Sequence, residues 1–129
     1  MPSARLAAGA FALLSLAVGG FQLALAAGAP WGDLAMGGAY PGTYPPAMRV
    51  AALVQIAIYL LLAAVVFSRA GVALRRWRTA SQWLIWFVVA IESVGVVLNL
   101  ITPSPLERLI WAPVAALLLA ASLRVALSR

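Results

Sequence analysis

Glu92 holds the most chemistry in this chain, because it lies in an apolar run, Trp83 to Ile101, that is otherwise free of charge. A carboxyl group inside hydrocarbon costs several kcal/mol unless it is protonated, paired or wetted. Three arrangements would satisfy it. It can be protonated and hydrogen-bonded to Gln55, Tyr59 or Gln22 as a structural group. It can be the ionised partner of Arg49, whose side chain would reach down from the outer end of its helix. Or it can exchange a proton for a cation at a transport or binding site. Intramembrane acids are functional by default, which favours a role beyond packing.

The other two acids have simpler readings. Asp33 falls in a Gly- and Pro-rich loop, where it would place a charge at the mouth of whatever lies beneath. Glu107 follows Ser104 by three residues, with Pro105 between, and so completes a capping box or pairs with Arg108 beside it. The chain has no Cys and no His, which removes thiol nucleophiles, thiolate metal sites and the commonest transition-metal ligand. No nucleophile with a base, no clustered carboxylate pair and no phosphate-binding Gly loop is present, so the expectation is a non-catalytic protein without cofactor or metal.

The elements that must position these residues are membrane helices. The 129 residues are 65% hydrophobic and 9% charged, with a mean hydropathy of +1.04, a balance that a water-soluble domain of this size does not carry. Four stretches can cross a hydrocarbon core of roughly 30 Å, at about 6–27, 50–68, 83–101 and 105–127. The fold class is therefore an all-α, four-helix transmembrane bundle in a single domain over residues 1–129. Ser104 and Pro105 mark the start of the fourth helix, and Pro113 inside it predicts a kink. Arg5, the apolar run and Ala24-Leu25-Ala26 also match a signal peptide, but that run is long for such a segment and reads as a retained helix.

Of the nine arginines, Arg5, Arg69, Arg75, Arg76, Arg78, Arg124 and Arg129 fall at one membrane face, and only Arg49 and Arg108 at the other. By the bias of positive charge toward the cytoplasm, both termini are expected inside. The net charge of +6 is then a topology signal, with anionic headgroups as a secondary partner for Arg75, Arg76 and Arg78 and no role for nucleic acid.

The first outer loop, Gly28 to Pro46, is rich in Gly, Pro and aromatic residues and reads as neither helix nor ordinary strand. Trp31, Tyr40 and Tyr44 suit an outer aromatic belt, and Trp77, Trp83 and Trp86 an inner one; alternatively the loop folds over the helix ends as a lid. Helical spacing puts Ser15, Gly19 and Gln22 on one face, with the small residues expected to admit a close neighbour. It puts Gln55 with Tyr59, and Ile85, Val88, Glu92, Gly95, Val96 and Asn99 on a third stripe. Counted from the outer helix ends, Asn99 is shallow, Gln22 and Gln55 lie about 10 Å deep, and Tyr59 and Glu92 about 15 Å deep. Convergence of these faces would make a polar funnel open to the outside, with Glu92 at its base and Trp31, Asp33 and Arg49 at its mouth.

Two outer motifs carry a resemblance. Gly28-Ala29-Pro30-Trp31-Gly32, Gly37-Gly38, Pro41-Gly42, Pro45 and Arg49, with Asn99-Leu100-Ile101-Thr102-Pro103-Ser104 and Glu107-Arg108 through Trp111 and Pro113, resemble a family of small four-helix bacterial integral membrane proteins. The resemblance spans nearly the whole chain. It implies bacterial inner-membrane residence with both termini cytoplasmic, and supplies no activity. In size and helix count the chain is also similar to small multidrug-resistance transporters, whose essential glutamate is in the first helix; here that helix has none.

Two function classes follow. One is a small transporter, or an ion- or small-molecule-binding protein, with an outward-facing pocket based on Glu92 and enclosed by homo-oligomerisation. The other is a scaffold, sensor or accessory subunit that recognises a partner membrane protein through the first outer loop. The lipid bilayer is a partner in both.

Overall fold

In a computed structural model, residues 2–128 are described; Arg129, counted above among the basic residues, lies outside them, as does Met1. The described residues form four long α-helices and no strand: α1 (Pro2–Ala27), α2 (Pro46–Ala70), α3 (Arg78–Ile101) and α4 (Pro105–Ala126). All four are long and apolar enough to cross a membrane. In hydrocarbon a spanning segment must satisfy its own backbone, which an α-helix does internally.

Local signals set the ends. Pro46 opens α2, and Gly71, at φ 75°, closes it with its N–H on the carbonyls of Phe67 and Ser68. Ser104 caps α4 by accepting from the Glu107 N–H at 3.2 Å. The helix runs through Pro113 without interruption, and the proline side chain sits on its exposed side. α2 runs a few residues beyond its expected apolar stretch at both ends and α3 at its start, where Arg49, Arg69 and the segment Arg78 to Gln82 continue the helices.

The buried positions of α1 are Ala4, Ala8, Phe11, Ser15, Val18 and Leu25, a stripe at spacings of three, four and seven that faces the other helices. α1 packs against α2 and α4, and α3 packs against the same two from the far side, so α1 stands diagonally across from α3 and α2 from α4. The core has two parts. The larger centres on Phe11, Val66, Ile85, Val88, Leu118 and Val125. The smaller joins Leu25, Ala35, Tyr44 and Ala52 under the first loop. Gly19 corrects one expectation: a Cβ built there meets nothing within 4 Å, so this glycine does not mark a close helix crossing within the chain.

The basic ends are tied together by their arginines. Arg69 donates to the Ser128 carbonyl at 2.5 Å, and Arg124 donates to the Ser3 hydroxyl. The start of α1 and the ends of α2 and α4 therefore meet at one end of the bundle.

Candidate functional site

At the opposite end the helices part around a cavity of about 740 Å³. Its walls run from Met48 to Tyr59 on α2 and from Glu107 to Leu118 on α4, each about 16 Å of helix. On α3 they run only from Gly95 to Ile101, and on α1 from Val18 to Gln22. Of the residues singled out from the sequence, Gln22, Gln55, Tyr59 and Asn99 line this space. The Asn99 side-chain amide donates to the Gly95 carbonyl of its own helix at 2.7 Å, which turns its oxygen free of that bond.

Glu92 does not line the cavity. It is 1% exposed and sits one helical turn inward of Gly95, the deepest lining residue of α3. The direction of α3 explains the difference. Cα–Cβ bonds tilt toward a helix's N-terminus, so a residue of α3 leans to the basic end while Gln55 and Tyr59, on antiparallel α2, lean toward the mouth. Tyr59 remains within electrostatic reach of Glu92. The Glu92 Oε1 has no hydrogen-bond partner among the described residues. The proposed partnership with Arg49 is not formed. Arg49 instead donates from Nε to the Tyr44 carbonyl at 3.0 Å, and its guanidinium lies over Gly28.

The first loop, Gly28 to Pro46, folds over the helix ends. Two 3-10 turns, Gly32–Leu34 and Met36–Gly38, carry it across the start of α4. Leu34, Ala35, Met36, Gly37 and Tyr44 roof the cavity. Gly32 permits the fold: its N–H donates to the Gly42 carbonyl at 2.9 Å, and an added Cβ would stand 1.8 Å from the Tyr40 carbonyl oxygen. Met36 holds φ 52°, a left-handed conformation rare for a non-glycine residue.

The mouth residues named from sequence are placed differently. Asp33 is exposed and accepts from the Gly42 N–H at 3.2 Å, bracing the loop internally. Trp31 stacks on Phe21 of α1, with centroids 6.3 Å apart, and Phe21 in turn meets Trp111 of α4 at 4.7 Å. Trp31 and Tyr40 keep exposed faces, whereas Tyr44 is 3% exposed and belongs to the small core, not to an outer belt.

Glu107 is the residue that sequence reasoning assigned too narrowly. Its backbone N–H completes the Ser104 cap, but its carboxylate does not return to the Ser104 N–H, which contacts the Thr102 hydroxyl at 3.3 Å. Glu107 Oε2 accepts from the Gly37 N–H at 3.0 Å, and the side chain lines the cavity at its rim. Arg108, its expected alternative partner, donates to the Thr102 carbonyl at 2.7 Å. No local pattern distinguishes this carboxylate from a capping one; the signal lies in a contact across the fold.

No protein-family model, no curated protein and no solved structure matches the chain. The resemblance carried by the outer-loop motifs therefore rests on those motifs alone, and the architecture of four apolar, membrane-length helices stands on the structure.

Proposed function

We propose that this is a multi-pass protein of the bacterial inner membrane, with both termini cytoplasmic, that binds a small molecule in the cavity beneath its first outer loop and moves it with Glu92 as the protonatable group. The observation that supports this reading best is vertical order: a roofed cavity with Gln22, Gln55, Tyr59 and Asn99 in its walls, and a buried, incompletely bonded carboxyl one turn below. A volume of about 740 Å³ falls in the range of roughly 300–1,000 Å³ common to small-molecule sites, which are mostly apolar with a few polar groups. The arginine distribution supports the orientation.

The chain contains no Cys, so single cysteines report cleanly. Gln55→Cys and Asn99→Cys should react with a membrane-impermeant thiosulfonate added outside spheroplasts, and Val66→Cys, in the inner core, should not. Protection of both outer positions would remove the outward-facing cavity. Proton-coupled flux in proteoliposomes should be lost in Glu92→Gln with folding intact; unchanged flux would remove Glu92 from the mechanism.

A second reading, a scaffold or accessory subunit, is favoured by the exposed Trp31, Met36 and Tyr40 on the outer loop. Under it, crosslinked capture of a membrane partner survives Glu92→Gln and is lost on Trp31→Ala. Homo-oligomerisation is compatible with both readings.

A further inference from the structure

The cavity has a side as well as a top. Packing between α2 and α3 is the loosest of the neighbouring helix pairs. It is concentrated toward the basic end, where Leu62, Val66 and Ala70 share a core with Ile85 and Val88. Beyond Glu92 no residue of α3 is buried, and on the outer half of α2 only Ala52 is. The cavity lining includes residues exposed on the bundle's flank at this seam: Ala51 on α2, and Leu98 and Ile101 on α3, the last two 57% and 69% exposed. Ala51 is small, and Gly95 offers no side chain at all, so the seam has little to close it. These lips lie in the end turns of two helices long and apolar enough to cross a membrane, which the orientation proposed above turns toward the outer leaflet.

The polar lining selects the ligand's charge. Arg49 and Arg108, the two cations at this end, do not line the cavity and are spent on the Tyr44 and Thr102 carbonyls. Among the described residues that line the cavity the only carboxylate is that of Glu107 at the rim, which repels anions. The remaining polar groups, Gln22, Tyr44, Gln55, Tyr59, Asn99 and Thr102, are neutral hydrogen-bonding groups among apolar side chains.

We infer that the space between α2 and α3 is a lateral portal through which the cavity takes a neutral, single-chain amphiphile from the outer leaflet, with its hydroxyl or carbonyl groups on the amides of the wall. This rests on the small-molecule-binding reading above and adds the route and the chemical class.

The test uses the full chain in phosphatidylcholine vesicles with a monooleoylglycerol bearing a diazirine in its acyl chain. Photolysis should place adducts on residues 48–59 and 95–101, competed by plain monooleoylglycerol. Oleate should compete about tenfold less well, an unfavourable charge term of about 1.4 kcal/mol. Ala51→Trp or, as a second plug on the opposite lip, Leu98→Trp should reduce those adducts about tenfold, the same free-energy step. Adducts spread evenly over all lipid-facing surfaces and indifferent to both plugs would overturn the portal. Equal competition by oleate would overturn the charge selection. If the lipid labels fail while Gln55→Cys still reacts with the impermeant thiosulfonate, the cavity opens to water only; if both fail, the small-molecule reading falls with the portal.

Discussion

The Glu107 carboxylate and the Gly37 N–H, 70 residues apart in the chain, are joined by a 3.0 Å hydrogen bond that fastens the first loop to the start of α4. The same junction carries a second tie, from the Ser104 hydroxyl to the Asp33 carbonyl at 2.9 Å. Glu107 is 7% exposed, so its bond to Gly37 is shielded and charge-assisted. Removing it should cost about 1.5–3 kcal/mol. Glu107→Ala should therefore lower the unfolding midpoint in detergent and raise hydrogen exchange through residues 32–44, while Ser104→Ala, a lost cap and one lost tie, should cost about 1 kcal/mol. Unchanged exchange in the loop of Glu107→Ala would show that the latch does not hold it.

Tyr44 gives the latch a pH dependence. Burial first, then the Glu107 charge and Tyr40, raise its phenol above the ordinary value of 10.0. The folded state thus holds this proton more tightly than the unfolded one. The associated stability is fully present below about pH 10 and is lost as pH rises through the raised folded value. Titration of tyrosinate absorbance should show a late step that coincides with loop opening, and Tyr44→Phe should remove that step.

Helix number, the buried stripe Ile85, Val88 and Glu92, and the Ser104-Pro105 start were all legible in the sequence, because periodicity and capping are local. The roles of Glu107, Tyr44 and Arg49 were not. A Ser-x-x-Glu pattern looks the same whether its carboxylate turns back to the cap or reaches a loop 70 residues away. Tyr44 has the amphipathic ring of a belt residue, and only the fold of the loop buries it against Leu25, Ala35 and Ala52. Depth counted in residues placed Glu92 level with Tyr59, but opposite helix directions tilt the two side chains apart, and that offset belongs to the packing.

Gly32 and Gly20 make a contrasting pair. A methyl group at Gly32 would collide with the Tyr40 and Gly42 carbonyl oxygens at 1.8 and 2.7 Å, whereas one at Gly20 meets nothing within 4 Å. Gly32→Ala should distort the loop and cost at least about 1–3 kcal/mol, as overpacking does. Gly20→Ala should leave thermal unfolding unchanged or slightly improved. Equal effects at the two sites would contradict the loop geometry.

α1 is a working part of the bundle. Phe11 and Leu25 are fully buried, one in each part of the core. Phe11→Ala should cost about 3–5 kcal/mol, the sum of transfer and cavity terms for a buried aromatic side chain. Intact mass of the purified protein should include residues 6–27; loss of that segment from a protein that stays folded would contradict the packing of α1.

Unfolding stability and flux together separate a functional Glu92 from a structural one. A buried polar group that is incompletely bonded costs stability, and replacing it with an apolar side chain of similar size is neutral or stabilising. Glu92 is 1% exposed, its Oε1 lacks a partner among the described residues, and it packs one turn beyond Val88 on the stripe that builds the inner core. Glu92→Leu should then keep or raise the unfolding midpoint while flux is lost, the trade between stability and activity expected where a costly residue is retained for function. A structural carboxyl behaves oppositely. If Glu92 joins the helices by hydrogen bonds, Glu92→Leu lowers the midpoint and Glu92→Gln, which keeps a hydrogen-bonding group, largely restores it. That second pattern would move Glu92 out of the mechanism and leave the cavity with no protonatable group beneath its floor.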